Sequence, residues 1–204
     1  MTVSPADASP GPPARLVLAS GSRYRREQLA RLGLAFAVDA PDVDEGERPG
    51  EAPDALARRL AEAKARAVAA RHPGAVVIGS DQIAVLDGAR LGKPGGAAAA
   101  RAQLARESGR TVDFLTALHV HDGRSGRGHA ALDRTRVTLR ALDQAAVRRY
   151  VDADRPLDCA GAFRVESLGI ALFERIESED PTALVGLPLI ATARLLRACG
   201  FVLP

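Results

Sequence analysis

The chain has 204 residues, 47% hydrophobic and 26% charged, enough apolar material for one large domain or two small ones. A formal net charge of +3, 3% aromatics and no tryptophan argue against a surface built on stacked bases or a dedicated nucleic-acid binder. Cys159 and Cys199 show neither CxxC nor zinc spacing and read as two buried thiols of a cytoplasmic protein.

Residues 1–13 are rich in Pro, Ala and Ser and lack the apolar segment of a signal peptide. They are expected to form a disordered tail ahead of a single domain over residues 14–204, with no stretch of transmembrane length. Leu16, Val17 and Leu18 suit a buried strand. Ser20, Gly21 and Ser22 then make a small-residue loop, and Arg25 and Arg26 open a helix that runs through Leu29 and Leu32 to a stop at Gly33. Strand, small loop and helix N-terminus form an anion site to which Arg25 adds a charged fork; the plain alternative is a strand–turn–helix with solvated arginines.

Ala35 to Val38 is a second short strand. The Pro41–Glu47 segment clusters carboxylates, either as a ligand set for a hard divalent cation or as a solvated acidic loop. A helix from Pro53 to about Ala70 carries the apolar stripe Leu56, Leu60, Ala63, Ala67. Lys64 borders that stripe, as a snorkelling stem or as a group aimed into a pocket. Ala75 to Gly79 is the best candidate for a central strand, with Ser80-Asp81-Gln82 at its carboxyl end. Open α/β sheets place ligands there, which makes Asp81 the best-positioned acid; its other reading is a turn aspartate.

Ile83 to Leu86 and Ala89 to Leu91 form a hairpin about Asp87-Gly88. Gly92-Lys93-Pro94-Gly95 fails the P-loop pattern, because the glycine spacing is wrong and Pro94 stands where Ser or Thr is required. Gly96 to Glu107 is helical. Thr111–Val120 and His129–Arg140 read as long antiparallel strands. Arg134 and Arg136 lie on a solvated face and Thr135, Val137 and Leu139 on the other. His119 and His121 share a strand face without a third metal ligand and are assigned to the exposed side. Asp143–Asp152 is a helix, Ala162–Val165 and Gly169–Ile176 are strands, and Pro188 opens a last helix to Cys199. The alternation predicts a mixed α/β sheet flanked by helices, in two lobes around a cleft.

Seven motifs occur in one order: LASGSRYRR at Leu18–Arg26, DVDE at Asp42–Glu45, AEAKA around Lys64, IGSDQ at Ile78–Gln82, GKP at Gly92–Pro94, SGR at Ser108–Arg110 and VGLPL at Val185–Leu189. Together they resemble the Maf family of nucleoside triphosphate pyrophosphatases over Arg15 to about Phe201. The resemblance implies cleavage between the α- and β-phosphates, a fold similar to the inosine triphosphate pyrophosphatases, a divalent metal such as Mg2+ or Mn2+, and a homodimer. It implies Asp81 as the acid that activates water and Glu45 as a second acid near the metal. Ser20, Arg25, Lys64 and Lys93 would hold the triphosphate. Ser22, with no partner His, reads as a phosphate donor rather than a nucleophile.

Tyr24, Gln82 and Glu166 resemble the 7-methyl-GTP branch of that family rather than the dTTP/UTP branch, with Tyr24 in place of the expected Trp. A cationic N7-methylguanine gains roughly 0.5–2 kcal/mol over an aromatic face, and a carboxylate accepts from its N1–H and amine. The competing roles are packing of Tyr24 on Leu34 and pairing of Glu166 with Arg164. A nucleotide-binding regulator of septum formation without turnover is the reading from another class, and neither a membrane nor a specific nucleic acid is expected as partner.

Overall fold

A computed structural model describes residues 15–204; the expected tail over residues 1–13 lies outside the described residues. One sheet organises the chain. Its strands are β1 (Leu16–Ala19), β2 (Ala37–Val38), β3 (Val76–Leu86), β4 (Ala89–Leu91), β5 (Thr111–Asp122), β6 (Arg127–Leu139) and β7 (Phe173–Glu177). The order is β2-β1-β3-β5-β6-β7, with β4 paired to β3. β1, β2 and β3 run parallel, and β5, β6 and β7 continue antiparallel.

The helices are α1 (Arg23–Ala30), α2 (Pro53–Ala69), α3 (Ala97–Glu107), α4 (Gln144–Asp154) and α5 (Leu189–Ala198). α2 covers one face of β3: Leu56, Leu60 and Ala61 pack on Ile83 and Val85, and Ala65 and Val68 pack on Val17 and Val77. The opposite face carries two separate cores. Leu16, Leu18, Val76 and Ile78 meet α1 and α5 at one end of β3, and Ala84, Leu86, Phe114 and Val137 meet α3 and α4 at the other. The two lobes expected from the sequence are these two ends of a single sheet. No helix of the described residues is long and apolar enough to cross a membrane.

Several elements differ from the sequence reading. α1 begins two residues early, because Ser22 caps it by accepting from the Arg25 N–H. Ala162–Val165 is not a strand but follows a 3-10 turn at Ala160–Ala162, and Gly169–Ile176 divides into a 3-10 turn (Leu168–Leu172) and β7. β3 is one continuous strand, so Asp81 sits in its middle and not at its carboxyl end. His119 is buried, not exposed: its strand face lies under α2, where burial pushes its pKa down. Gly128 on β6 leaves the room, since a Cβ there would lie 2.8 Å from the imidazole.

Two features carry testable energetic consequences. At Gly79 a Cβ would lie 2.2 Å from the Ala61 carbonyl oxygen and 2.7 Å from the Ala65 nitrogen, so glycine is what allows α2 to lie directly on β3. Gly79→Ala is expected to cost about 3 kcal/mol or more by urea unfolding, because backbone must move to relieve the overlap. Glu107, at the end of α3, is wholly buried with neither oxygen hydrogen-bonded. Burial pushes its pKa from 4.5 up to about 8, against the opposing pull of Gln103 and Arg106. Between those values the native state keeps a proton that the unfolded chain releases, so stability falls as pH rises through that window. Glu107→Gln is expected to remove this slope, so its stability relative to the wild-type chain grows from pH 5 to pH 8 in paired denaturation curves.

Candidate active site

A break in the sheet creates the site. β1 pairs with Val76–Gly79 of β3, and β4 pairs with Ala84–Leu86. Between them residues 80–83 meet a strand only on the β5 side. The carboxyl end of β1 therefore opens beside Asp81, and the rule that places ligands at strand carboxyl ends is met through β1. The Ser20–Ser22 loop closes one side of the opening and the Gly92-Lys93 loop after β4 the other.

The close packing of α2 at Gly79 aims Lys64 into this opening. Its Nζ donates to Asp81 Oδ1 at 2.6 Å and lies 2.6 Å from Glu45 Oε1. The Lys64 and Asp81 side chains are only 7% and 9% exposed, whereas Glu45 is 56% exposed at the rim. Burial alone would raise the Glu45 pKa, but Lys64, Lys93 and Arg25 outweigh it and hold the carboxyl below its ordinary value. Burial works in the other direction on Arg25, lowering its pKa, and the Asp81 and Glu45 charges oppose that.

The cavity at this opening measures about 730 Å³, within the size range of small-molecule sites. Five basic and three acidic side chains line it, so it suits a polyanion. Ser20, Ser22, Arg25, Glu45, Lys64, Asp81 and Lys93, all singled out from the sequence, converge on it. The Ser20 hydroxyl oxygen accepts from the Ser22 N–H at 3.1 Å, which shapes the loop. A second recess adjoins it, lined by Tyr24, Gln82 and Glu166 together with Phe163, Cys159 and Arg164. The Cys159 thiol there is pushed up to about 12 by burial and by the Asp158 and Glu166 carboxylates.

The recess residues differ in detail from the sequence reading. Arg164 is bound to Asp154 at 3.0 Å, and Asp154 also accepts from Tyr150 and Ser167. Gln82 turns its amide nitrogen inward, to Thr116 Oγ1 and the Ala183 and Leu184 carbonyls at 3.0–3.2 Å. Two of those partners can only accept, so the nitrogen is fixed there and the free atom is the acceptor Oε1.

Sequence reasoning missed Ser80, Gly186, Arg90 and Asp158. Ser80 and Gly186 lie within the quoted motifs, but their roles need the fold. Ser80, wholly buried on the face of β3 away from α2, donates to the Gly186 carbonyl at 2.9 Å, and Arg25 Nε donates to the same oxygen at 2.9 Å. Gly186 has φ +113°, and a Cβ there would lie 3.4 Å from Arg25 Nε. Arg90 and Asp158 line the cavity from the hairpin and from the loop after α4. Neither stands in a motif, and only chain folding brings them to the cleft.

A cleft with convergent cations, two carboxylates closing on one ammonium and an adjoining recess marks an α/β protein with a cavity suited to a polyanionic ligand. A family model described as "Maf-like protein" matches residues 15–199, and the chain belongs to the Maf family. The "7-methyl-GTP pyrophosphatase" of Xanthomonas oryzae pv. oryzae (strain MAFF 311018) is 61% identical over 190 residues, covering 93% of this chain and 99% of that protein. The protein of the same name from Bordetella pertussis (strain Tohama I / ATCC BAA-589 / NCTC 13251) is 54% identical over 191 residues, covering 94% and 95%. The solved structure of the Staphylococcus aureus Ham1 protein overlaps 61% of this chain and 71% of its own, at a TM-score of 0.44 and 17% identity.

Gly186→Ala is expected to lower kcat/KM for pyrophosphate release about tenfold or more, because a side chain at φ +113° strains the turn and a shift of the turn moves the carbonyl that holds Arg25 Nε. A variant of unchanged kcat/KM would mean that Arg25 does not depend on this carbonyl.

Proposed function

We propose that this protein hydrolyses 7-methyl-GTP to the monophosphate and pyrophosphate. The observation that carries the reading is the pair of carboxylates, Asp81 and Glu45, closed on Lys64 at the mouth of a cation-lined cavity. Family membership and curated relatives of that name at 54–61% identity over nearly the whole chain support it.

Asp81 takes a proton from water as the water oxygen bonds to the α-phosphorus, and the bond from that phosphorus to the α–β bridging oxygen breaks. The leaving pyrophosphate carries the electron pair away. Lys64 holds the Asp81 carboxylate in one orientation. Arg25 and Lys93, with the Ser20 and Ser22 hydroxyls, meet the phosphate oxygens where charge builds up. Among the described residues no group of three His, Cys, Asp or Glu side chains converges on a cation site. Glu45 and Asp81, the two carboxylates closed on Lys64, are the residues that would hold a hard divalent ion. Such an ion, when bound, neutralises part of the triphosphate charge.

In the recess the Gln82 Oε1 and the Glu166 carboxylate are acceptors, matched to the N1–H and exocyclic amine of a guanine. Tyr24 offers an aromatic face to the methylated ring.

The test is pyrophosphate release across 7-methyl-GTP, GTP, dTTP, UTP, CTP and ATP with magnesium or manganese, and again after chelation. The expected result is a lead for 7-methyl-GTP, lost on chelation, and a fall of about 100-fold or more for Asp81→Asn. A lead for dTTP or UTP would overturn the base reading alone. Undiminished turnover by Asp81→Asn would overturn the catalytic one.

A further inference from the structure

The Tyr24 ring is not bare. The Arg23 guanidinium carbon lies over it, 4.7 Å from the ring centroid, and Arg23 also donates to the Tyr24 hydroxyl at 2.8 Å. Arg23 is exposed at the first position of α1 and contributes nothing to either core. The Tyr24 hydroxyl, and more weakly the Asp158 carboxylate, favour the charge on Arg23, against burial and the Arg164 charge. Asp158 and Tyr24 both line the cavity and the recess. A planar, delocalised cation thus rests on an aromatic face at the junction of the phosphate cavity and the base recess, with the Asp158 carboxylate in the same lining. An N7-methylated purine is also a planar, delocalised cation and gains from the same two groups.

Building on the 7-methyl-GTP reading, we propose that Tyr24 and Asp158 form the subsite for the methylated ring, and that Arg23 occupies it in the free protein as an internal surrogate which the base displaces. The exchange has a specific thermodynamic form. Removing the surrogate strengthens every base that stacks on Tyr24 by the same factor, since each base displaces the same contact. Asp158 adds to the discrimination that the Tyr24 face and the Glu166 carboxylate give, because a charged ring gains from its carboxylate and a neutral one does not.

The test is calorimetric titration of the full chain with 7-methylguanosine and guanosine, which carry no phosphate to meet Arg23. Arg23→Ala is expected to tighten both by about two- to fivefold, the range of an exposed cation–π contact, with their ratio kept. Asp158→Asn is expected to reduce the preference for 7-methylguanosine. In the Arg23→Ala background the same change is expected to weaken 7-methylguanosine more than it does with Arg23 present, because the surrogate no longer loses alongside the ligand. Unchanged or weaker binding by Arg23→Ala would overturn the surrogate, and an unchanged ratio in Asp158→Asn would overturn the role of Asp158. Equal affinity of the wild-type chain for the two nucleosides would instead count against the 7-methyl-GTP reading itself, while tightening by Arg23→Ala would still report the displaced contact.

Discussion

Lys64, buried between the Asp81 and Glu45 carboxylates, is the interaction on which the architecture of the site depends. A buried ammonium is costly unless paired, and removing one partner leaves an uncompensated charge inside the protein. The pairing is possible only because α2 lies against β3 with no side chain between the backbones, at Ala61, Ala65 and Gly79. The same small residues that bring the helix close bring its one buried lysine to the strand's acid. Packing and chemistry meet at one contact, and the break between β1 and β4 opens that contact to a ligand.

The other face of β3 holds the site in a complementary way. Ser80 and Gln82, either side of Asp81, point away from α2 and bind the turn at Ala183–Gly186 through backbone carbonyls. That turn lies between the two cores of this face and returns a carbonyl to Arg25. Three successive residues therefore do three jobs, because strand alternation sends Asp81 to one side and its neighbours to the other. Where the phosphates are expected, Ser20, Ser22 and Arg25 are tied to main chain and Lys64 to the two carboxylates. The recess is looser, where Tyr24 carries an exposed arginine and Glu166 stands exposed.

Charge is mixed along the whole cleft. Arg25, Lys93 and Arg164 line the recess together with Asp158 and Glu166, the two carboxylates beside the Cys159 thiol.

The sequence by itself determined the mixed α/β class, most of the helices and the seven residues that meet at the cation-lined cavity. These follow from local rules: apolar periodicity, caps, turn residues and motif order. Even the hairpin was legible, because Asp87 and Gly88 both take positive φ as an Asp-Gly turn demands. Other features were decided only by the tertiary structure. Asp81 looked like a strand end, since the polar Ser-Asp-Gln run interrupts the apolar pattern, yet the strand continues because α2 and the 183–186 turn satisfy those side chains. His119 looked exposed because its burial depends on a helix some 50 positions earlier and on the missing side chain of Gly128. Arg23, Asp158 and Gly186 gained meaning only when loops distant in sequence were brought together. Local periodicity reports which way a side chain faces along its own element; what covers that face, and which charges meet there, is set by contacts between segments that no local pattern encodes.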